Sequence, residues 1–205
     1  PYLHITSAQK GCGKSRLLKV LASLVAKPLR TASISPAALY RKMDSEHPTL
    51  LLDEVDQQMH GSKEAAAIIR GVLNCGFERG TPYHLCEKSG GGRIEVRSFD
   101  TFGAKALAGI GRLWETVADR SLPIILQRRL MSEPIARFRP EDAEWHLTPL
   151  QAAAKEWTKA NLEPLRRARP AVQAINREAD LLEPLLAIAD VAGGEWPVAG
   201  AACLS

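Results

Sequence analysis

The chain has no apolar run of membrane-spanning length, and no signal peptide opens it. That pattern speaks against a membrane role and makes a reducing cytoplasm the expected compartment. Cys12, Cys75, Cys86 and Cys203 lack C-x-x-C spacing, so neither a zinc ribbon nor a disulfide framework is indicated. The five histidines show no ligand pairing at helical spacing. A strong charge of one sign is missing too: a net charge of +4 permits a nucleic-acid partner without demanding one. The content is otherwise that of a globular protein, 45% hydrophobic and 24% charged over 205 residues, enough for one α/β domain and a smaller appendage. It begins at Pro1 with "PYLHIT", a strand already under way, so the sequence reads as a piece of a longer protein with residues upstream.

Short apolar runs alternate with amphipathic stretches over the first two thirds. Residues 2–6 read as a buried strand. From Lys14, the positions Leu17, Leu18, Leu21, Leu24 and Val25 repeat at helical spacing. A second strand is expected near "RTASIS", a helix from Pro36, and a central strand in "TLLLDEVD" at 49–56. Ser62 caps a helix with Ile68, Ile69, Val72 and Leu73 inward. A β-hairpin spans 83–99 with its turn at Lys88–Gly92, "GAKALAGIG" supplies the next core strand, and "SLPIILQRR" at 121–129 the last. Beyond it, "TPLQAAAKEWTKANLEP" and "PAVQAINREADLLEPLLAIADVAGG" read as helices, with proline near their starts and Gly193–Gly194 as a stop. The expected architecture is α/β, a parallel sheet flanked by helices over 1–138, followed by an all-helical C-terminal part over 139–205. Trp114, Trp145, Trp157 and Trp196 are expected to pack the contact between the two.

The stretch "SAQKGCGKSRLL" carries the chemistry. It ends as a phosphate loop ends, but Ala8 stands where the pattern G-x-x-x-x-G-K-S/T has its first glycine. Glycine is needed there only if φ must be positive; otherwise a small residue suffices. Gly11 and Gly13 allow the backbone close to phosphate, Lys14 supplies a cation, Ser15 a metal ligand, and the following helix points its positive end at the anion. Ala8, Gly11, Cys12, Gly13, Lys14, Ser15 and Arg16 form the expected nucleotide-contacting set. About forty residues on, Asp53 at a strand end can hold Mg²⁺ opposite Ser15, and the adjacent Glu54 can activate water. The two segments together point to a nucleotide site competent for hydrolysis, with ATP and Mg²⁺ as ligands.

Hydrolysis needs a further cation for the charge on the γ-phosphoryl oxygens. Arg120, between a short helix and the last strand, resembles the arginine finger of AAA+ ATPases, which would make the active form a homo-oligomeric ring or filament. A surface arginine capping its helix is the plainer reading. Asp100, Thr101 and Lys105 fall in the region of a γ-phosphate sensor, and Arg177 could reach back from the tail as a second sensor or pair with Glu178 or Asp180. The hairpin, with Lys88, Arg93 and Arg97, resembles the pore hairpin of superfamily-three and MCM helicases and suits single-stranded DNA phosphates; an ordinary sheet-edge hairpin is the alternative.

The run from "CGKSRLL" through "LLLDEVD", "FGAKALAGIG" and "TVADRSLPIILQRR" to "LLAIADVAGGEWP" resembles a bacterial and phage domain family of unknown function that occurs beside primase domains in mobile elements. Ala104 stands where that family has proline and Leu182 where it has tryptophan. The resemblance implies a P-loop ATPase of helicase type acting in replication. A DNA-associated switch or loader and, from another class, a P-loop small-molecule kinase are the rival expectations.

Overall fold

The computed structural model describes residues 1–88, 93–134 and 138–204. In chain order the elements are β1 (Tyr2–Ser7), α1 (Lys14–Leu24), β2 (Pro28–Thr31), α2 (Pro36–Glu46), β3 (Thr49–Leu52), α3 (Val55–Met59), α4 (Lys63–Cys75), β4 (Tyr83–Lys88), β5 (Ile94–Phe99), β6 (Lys105–Ile110), α5 (Glu115–Ala118) and β7 (Ser121–Ile125). The helices α6 (Pro140–Ala160), α7 (Leu162–Arg167), α8 (Asn176–Ala192) and α9 (Trp196–Leu204) follow.

Five strands form one sheet in the order β2-β3-β6-β1-β7, every neighbouring pair parallel. A strand's side chains alternate between faces, so a run buried on both faces must be apolar throughout. β3 shows the consequence. Leu50 and Leu52 join Leu39, Met43, Ile69, Val72 and Leu73 of α2 and α4 on one face. Leu51 joins Ile5, Ala106, Ala108 and Leu18 of α1 on the other. The α1 face is built from small residues on β6, and the α2–α4 face takes the large ones. β4 and β5 pair antiparallel as a separate two-stranded sheet, from Tyr83↔Phe99 to Lys88↔Ile94. The expected turn between them lies largely outside the described residues.

The second strand comes earlier than "RTASIS" suggests. Pro28 is in register with Thr49, and the Thr31 hydroxyl donates to Ser33 O at 2.6 Å while Ser33 N–H donates back to it. That local loop ends the strand at Thr31. The last strand stops at Ile125, short of the expected Arg129. In the C-terminal part, α6 starts at Pro140 and runs through Pro149, and α8 starts at Asn176, not near Pro170. α8 does end at Gly193, φ 69°. Gln151 of α6 donates its side-chain N–H to Val25 O at the end of α1, 2.9 Å away. Two tryptophans contradict the packing expected of them: Trp145 is 80% and Trp196 60% exposed. Trp196 instead lines an apolar cleft within the helical part with Trp157, Ile188 and Ala192, and Trp114 packs against the larger core cluster. Among the described residues no helix is long and apolar enough to cross a membrane.

Candidate functional site

Both chemical segments emerge at the carboxyl edge of the sheet, where parallel strands place ligand-binding loops. The loop follows β1, the acids follow β3, and β6 lies between them. Leu52 is in register with Leu107, and Leu107 with His4. β1 therefore continues three residues past that level to Ser7, lifting the loop above the acids before α1 turns back.

Gly11 and Gly13 adopt φ of 81° and 93°, the left-handed region that a side chain makes costly. Ala8 is outside that region, which is why alanine serves there. Gly13 precedes α1 without a side-chain cap, and the helix's first turn carries no acid. Its leading N–H groups have no side-chain cap, and no carboxylate in the first turn competes for them. Lys14 is folded onto its own loop: its ammonium donates to Ser7 Oγ at 2.6 Å and more weakly to Gln9 O at 3.4 Å. The Ser7 hydroxyl donates in turn to the same Gln9 carbonyl, 2.7 Å away. Cys12 Sγ–H also leans on Gln9 O, at 3.3 Å. Gly11, Gly13, Ser15, Arg16, Lys19 and Phe138 line a cleft of about 450 Å³.

Asp53 is 9% exposed, and its Oδ1 accepts the N–H of Glu54 at 3.0 Å. Glu54 is exposed and holds φ 51°, ψ 41°. A non-glycine residue there costs roughly 1–2 kcal/mol. The neighbouring packing explains how it is held. Gly109 of β6 lies so close to α3 that a Cβ would come within 2.8 Å of both Asp56 Oδ1 and Val55 Cγ1. Asp56 in turn accepts the Ile110 N–H at 3.2 Å. α3 is pinned against the end of β6, and only a sharp turn at Glu54 joins it to β3. Glycine at 109 thereby aims a carboxylate out of the edge.

A Mg²⁺ ion seeks oxygen donors and keeps several waters, so one or two protein ligands suffice. The Ser15 hydroxyl and the buried Asp53 carboxylate are oxygen donors of that kind. No group of three or more His, Cys, Asp or Glu side chains able to hold a metal occurs among the described residues.

The structure separates the other predicted residues from this edge. Asp100, Thr101 and Lys105 lie at or before the start of β6, the amino edge, a strand's length from the loop. Thr101 is fully buried with its hydroxyl on Val72 O at 3.2 Å. The Lys105 ammonium donates to Thr101 O, Gly103 O and Gly76 O at 2.9, 3.0 and 3.1 Å and lies 4.7 Å from the Tyr2 ring centre. These groups tie the end of α4 to the sheet and cannot reach a phosphate at the loop. Strand polarity decides the matter: a parallel strand's first residue is far from its neighbours' carboxyl ends. The carboxyl end of β6 instead carries Gly111 and the exposed Arg112, with the Thr6 hydroxyl donating to Gly111 O at 2.9 Å. The "GIGR" ending of the small-residue strand is the signal that would have pointed to Arg112.

Arg120 also sits at the amino edge, where its carbonyl accepts the Tyr2 N–H at 3.0 Å. Its guanidinium caps the short α5 through Thr116 O and stands 5.7 Å from the Phe77 ring centre, and its Nε is buried without a partner. Burial lowers its pKa, and the positive charge of Arg177 acts in the same direction. Arg177 is thus near Arg120 and not at the loop, and it makes no ion pair with Glu178 or Asp180 among the described residues. In the hairpin, Glu87 pairs with both Arg41 and Arg97 and accepts from the Tyr40 hydroxyl at 3.1 Å. Like Arg112 and Lys19, Phe138 is a residue of this edge that sequence reasoning missed. It lies between the expected regions, with no motif around it.

Comparison with known proteins adds little to this edge. A family model described as "Protein of unknown function (DUF3631)" matches residues 125–205, from the end of β7 through the helical part. The chain is 39% identical over 72 residues, 35% of its length, to an "Uncharacterized 28.9 kDa protein in xis 5'region" of Saccharopolyspora erythraea. It spans about a quarter of that relative, 27% of its length. The family match begins after both the loop and the acids.

Proposed function

We propose that the chain is the Mg²⁺-dependent ATPase domain of a DNA-translocating or DNA-unwinding motor, with a P-loop, AAA+-like core. One observation carries the reading. A loop with two left-handed glycines and a lysine, and an acid pair whose second member is held in a strained backbone, leave the same sheet edge with one strand between them. That interposed strand and the order β2-β3-β6-β1-β7 support an AAA+-like arrangement. The exposed, strained Glu54 favours hydrolysis over passive binding, since strain of this kind persists where the surroundings impose it and clusters at functional sites.

In this reading the loop amides and Lys14 hold the β- and γ-phosphates, the lysine exchanging Ser7 and Gln9 for phosphate oxygens. Ser15 and Asp53 hold Mg²⁺, which when bound neutralises phosphate charge. Glu54 orients the attacking water and accepts its proton. Arg120 is at the opposite edge from its own loop, so a part in hydrolysis requires a neighbouring copy, as head-to-tail packing in a ring would provide. DNA is the proposed polymer partner through the hairpin cations Lys88, Arg93 and Arg97.

ATP turnover with and without single-stranded DNA tests the proposal. A motor domain hydrolyses ATP and is stimulated by DNA. Turnover indifferent to DNA turns the reading toward an ATP-operated switch, and a phosphorylated small molecule toward a kinase.

A further inference from the structure

Phe138 is out of place as a packing residue. It is half-buried, yet it belongs to neither of the two core clusters. It also joins none of the aromatic pairs, Tyr2–Phe77, Tyr40–Tyr83 and Tyr40–Phe99. Its ring contact is the Arg16 guanidinium, 5.9 Å from the ring centre. It lines a cleft of about 450 Å³ together with Gly11, Gly13, Ser15, Arg16 and Lys19 among the described residues, a volume within the roughly 300–1,000 Å³ of small-molecule sites. The phosphate loop and the first turns of α1 thus form one side of the cleft, all backbone, hydroxyl and cation. Among the described residues, the flat apolar ring of Phe138 forms the other.

From this arrangement we infer that Phe138 is the stacking platform for the base of a nucleotide whose phosphates occupy the loop, so that the cleft is built for a nucleotide and not for bare polyphosphate. The inference rests on the phosphate-site reading above and adds the base subsite to it. An aromatic ring stacks on the face of any nucleobase. At 5.9 Å and on an exposed side chain, the cation–π contact from Arg16 is at the outer limit of such interactions and is readily given up. The base takes the place of Arg16 over the ring, and the guanidinium, on its flexible stem, turns to the phosphates beside it. Among the described residues no carboxylate or amide side chain lines the cleft to read a base edge.

The test is a calorimetric titration of the full chain with Mg²⁺-ATP and, in parallel, Mg²⁺-tripolyphosphate, for the wild type, Phe138→Ala and Phe138→Trp. The wild type is expected to bind ATP more tightly than tripolyphosphate. Phe138→Ala should weaken ATP by roughly 5- to 150-fold and leave tripolyphosphate nearly unchanged, which also shows that the variant is folded. Phe138→Trp should keep the ATP affinity. Unchanged ATP binding in Phe138→Ala overturns the inference, and so does an equal loss for both ligands, which would make Phe138 a support for the loop. A wild type that binds the two ligands equally removes the base subsite and leaves the phosphate site standing. A wild type that binds neither removes both.

Discussion

Two lysines at opposite ends of neighbouring strands show how the sheet divides its labour. Lys14 follows the carboxyl end of β1, and Lys105 opens β6 at the amino edge. Both are cations with hydrogen-bond partners, but the partners differ in kind. Lys105 is 2% exposed and has a backbone carbonyl for each of its three N–H groups. Lys14 rests on a serine hydroxyl and a long contact to Gln9 O, both of which a phosphate oxygen would outbid through charge. One ammonium is saturated and structural; the other can change partners. The same contrast holds for the two edges. The amino edge carries Thr101, Ser121 and Tyr2, all buried and satisfied. The carboxyl edge carries uncapped amides, an exposed serine and a glutamate in a costly conformation.

Arg120 is the largest challenge to that division, since it is an amino-edge residue proposed to act on phosphate. Arg120→Ala should lower ATP turnover of the assembled protein by about 10³- to 10⁵-fold, and mixing it with Glu54→Gln should restore part of the activity, because each copy then supplies what its neighbour lacks. Failure of the mixture to recover would confine Arg120 to capping α5. Next in size, Glu54→Gln should reduce turnover by about 10²- to 10⁴-fold while ATP binding is kept; full turnover would remove Glu54 from the chemistry.

Smaller effects concern folding. Burial pushes the Lys105 ammonium down to about 7, with Asp100 opposing. The unfolded chain keeps that proton to about pH 10. Between those values the unfolded state binds more protons than the folded one, so this group's contribution to stability rises with pH across the window. Lys105→Met removes the titration and strips the carbonyls of their donor. It should destabilise by about 1–3 kcal/mol, and its deficit relative to the wild type should widen from pH 7 to 9.5 in denaturant melts. A deficit that stays flat or narrows over that range would mean the ammonium keeps its proton in the fold. Smallest, Glu54→Gly should raise stability by about 1 kcal/mol through relief of the left-handed strain, at the expense of turnover. A loss of stability would show that contacts of Glu54 outweigh the strain.

Most of the parallel sheet was readable because each strand is a short apolar run followed by a functional or turn residue, as in "TLLLDEVD". The position of Ala8 was readable as well, from the single question of whether φ is positive. The sensor region misled for one reason. The carboxyl end of β6 could not be placed from a run of small residues, so the search fell on Asp100, Thr101 and Lys105, which precede the strand. Lys105 looks like a surface cation in sequence, and only the meeting of α4's end with the 101–103 loop makes it a buried one. Arg177 was drawn toward the loop by its place in a helical tail; its nearness to Arg120 depends on packing that no spacing encodes. Phe138 escaped notice because its partners are far away in the chain.

The central claim is that the carboxyl edge, and Lys14 in particular, is a nucleotide phosphate site. Titration of Mg²⁺-ATP into the wild type, Lys14→Ala and Arg112→Ala measures it most directly. The account predicts saturable binding by the wild type, its abolition in Lys14→Ala, and a smaller change in Arg112→Ala. ATP affinity in Lys14→Ala equal to that of the wild type would contradict it.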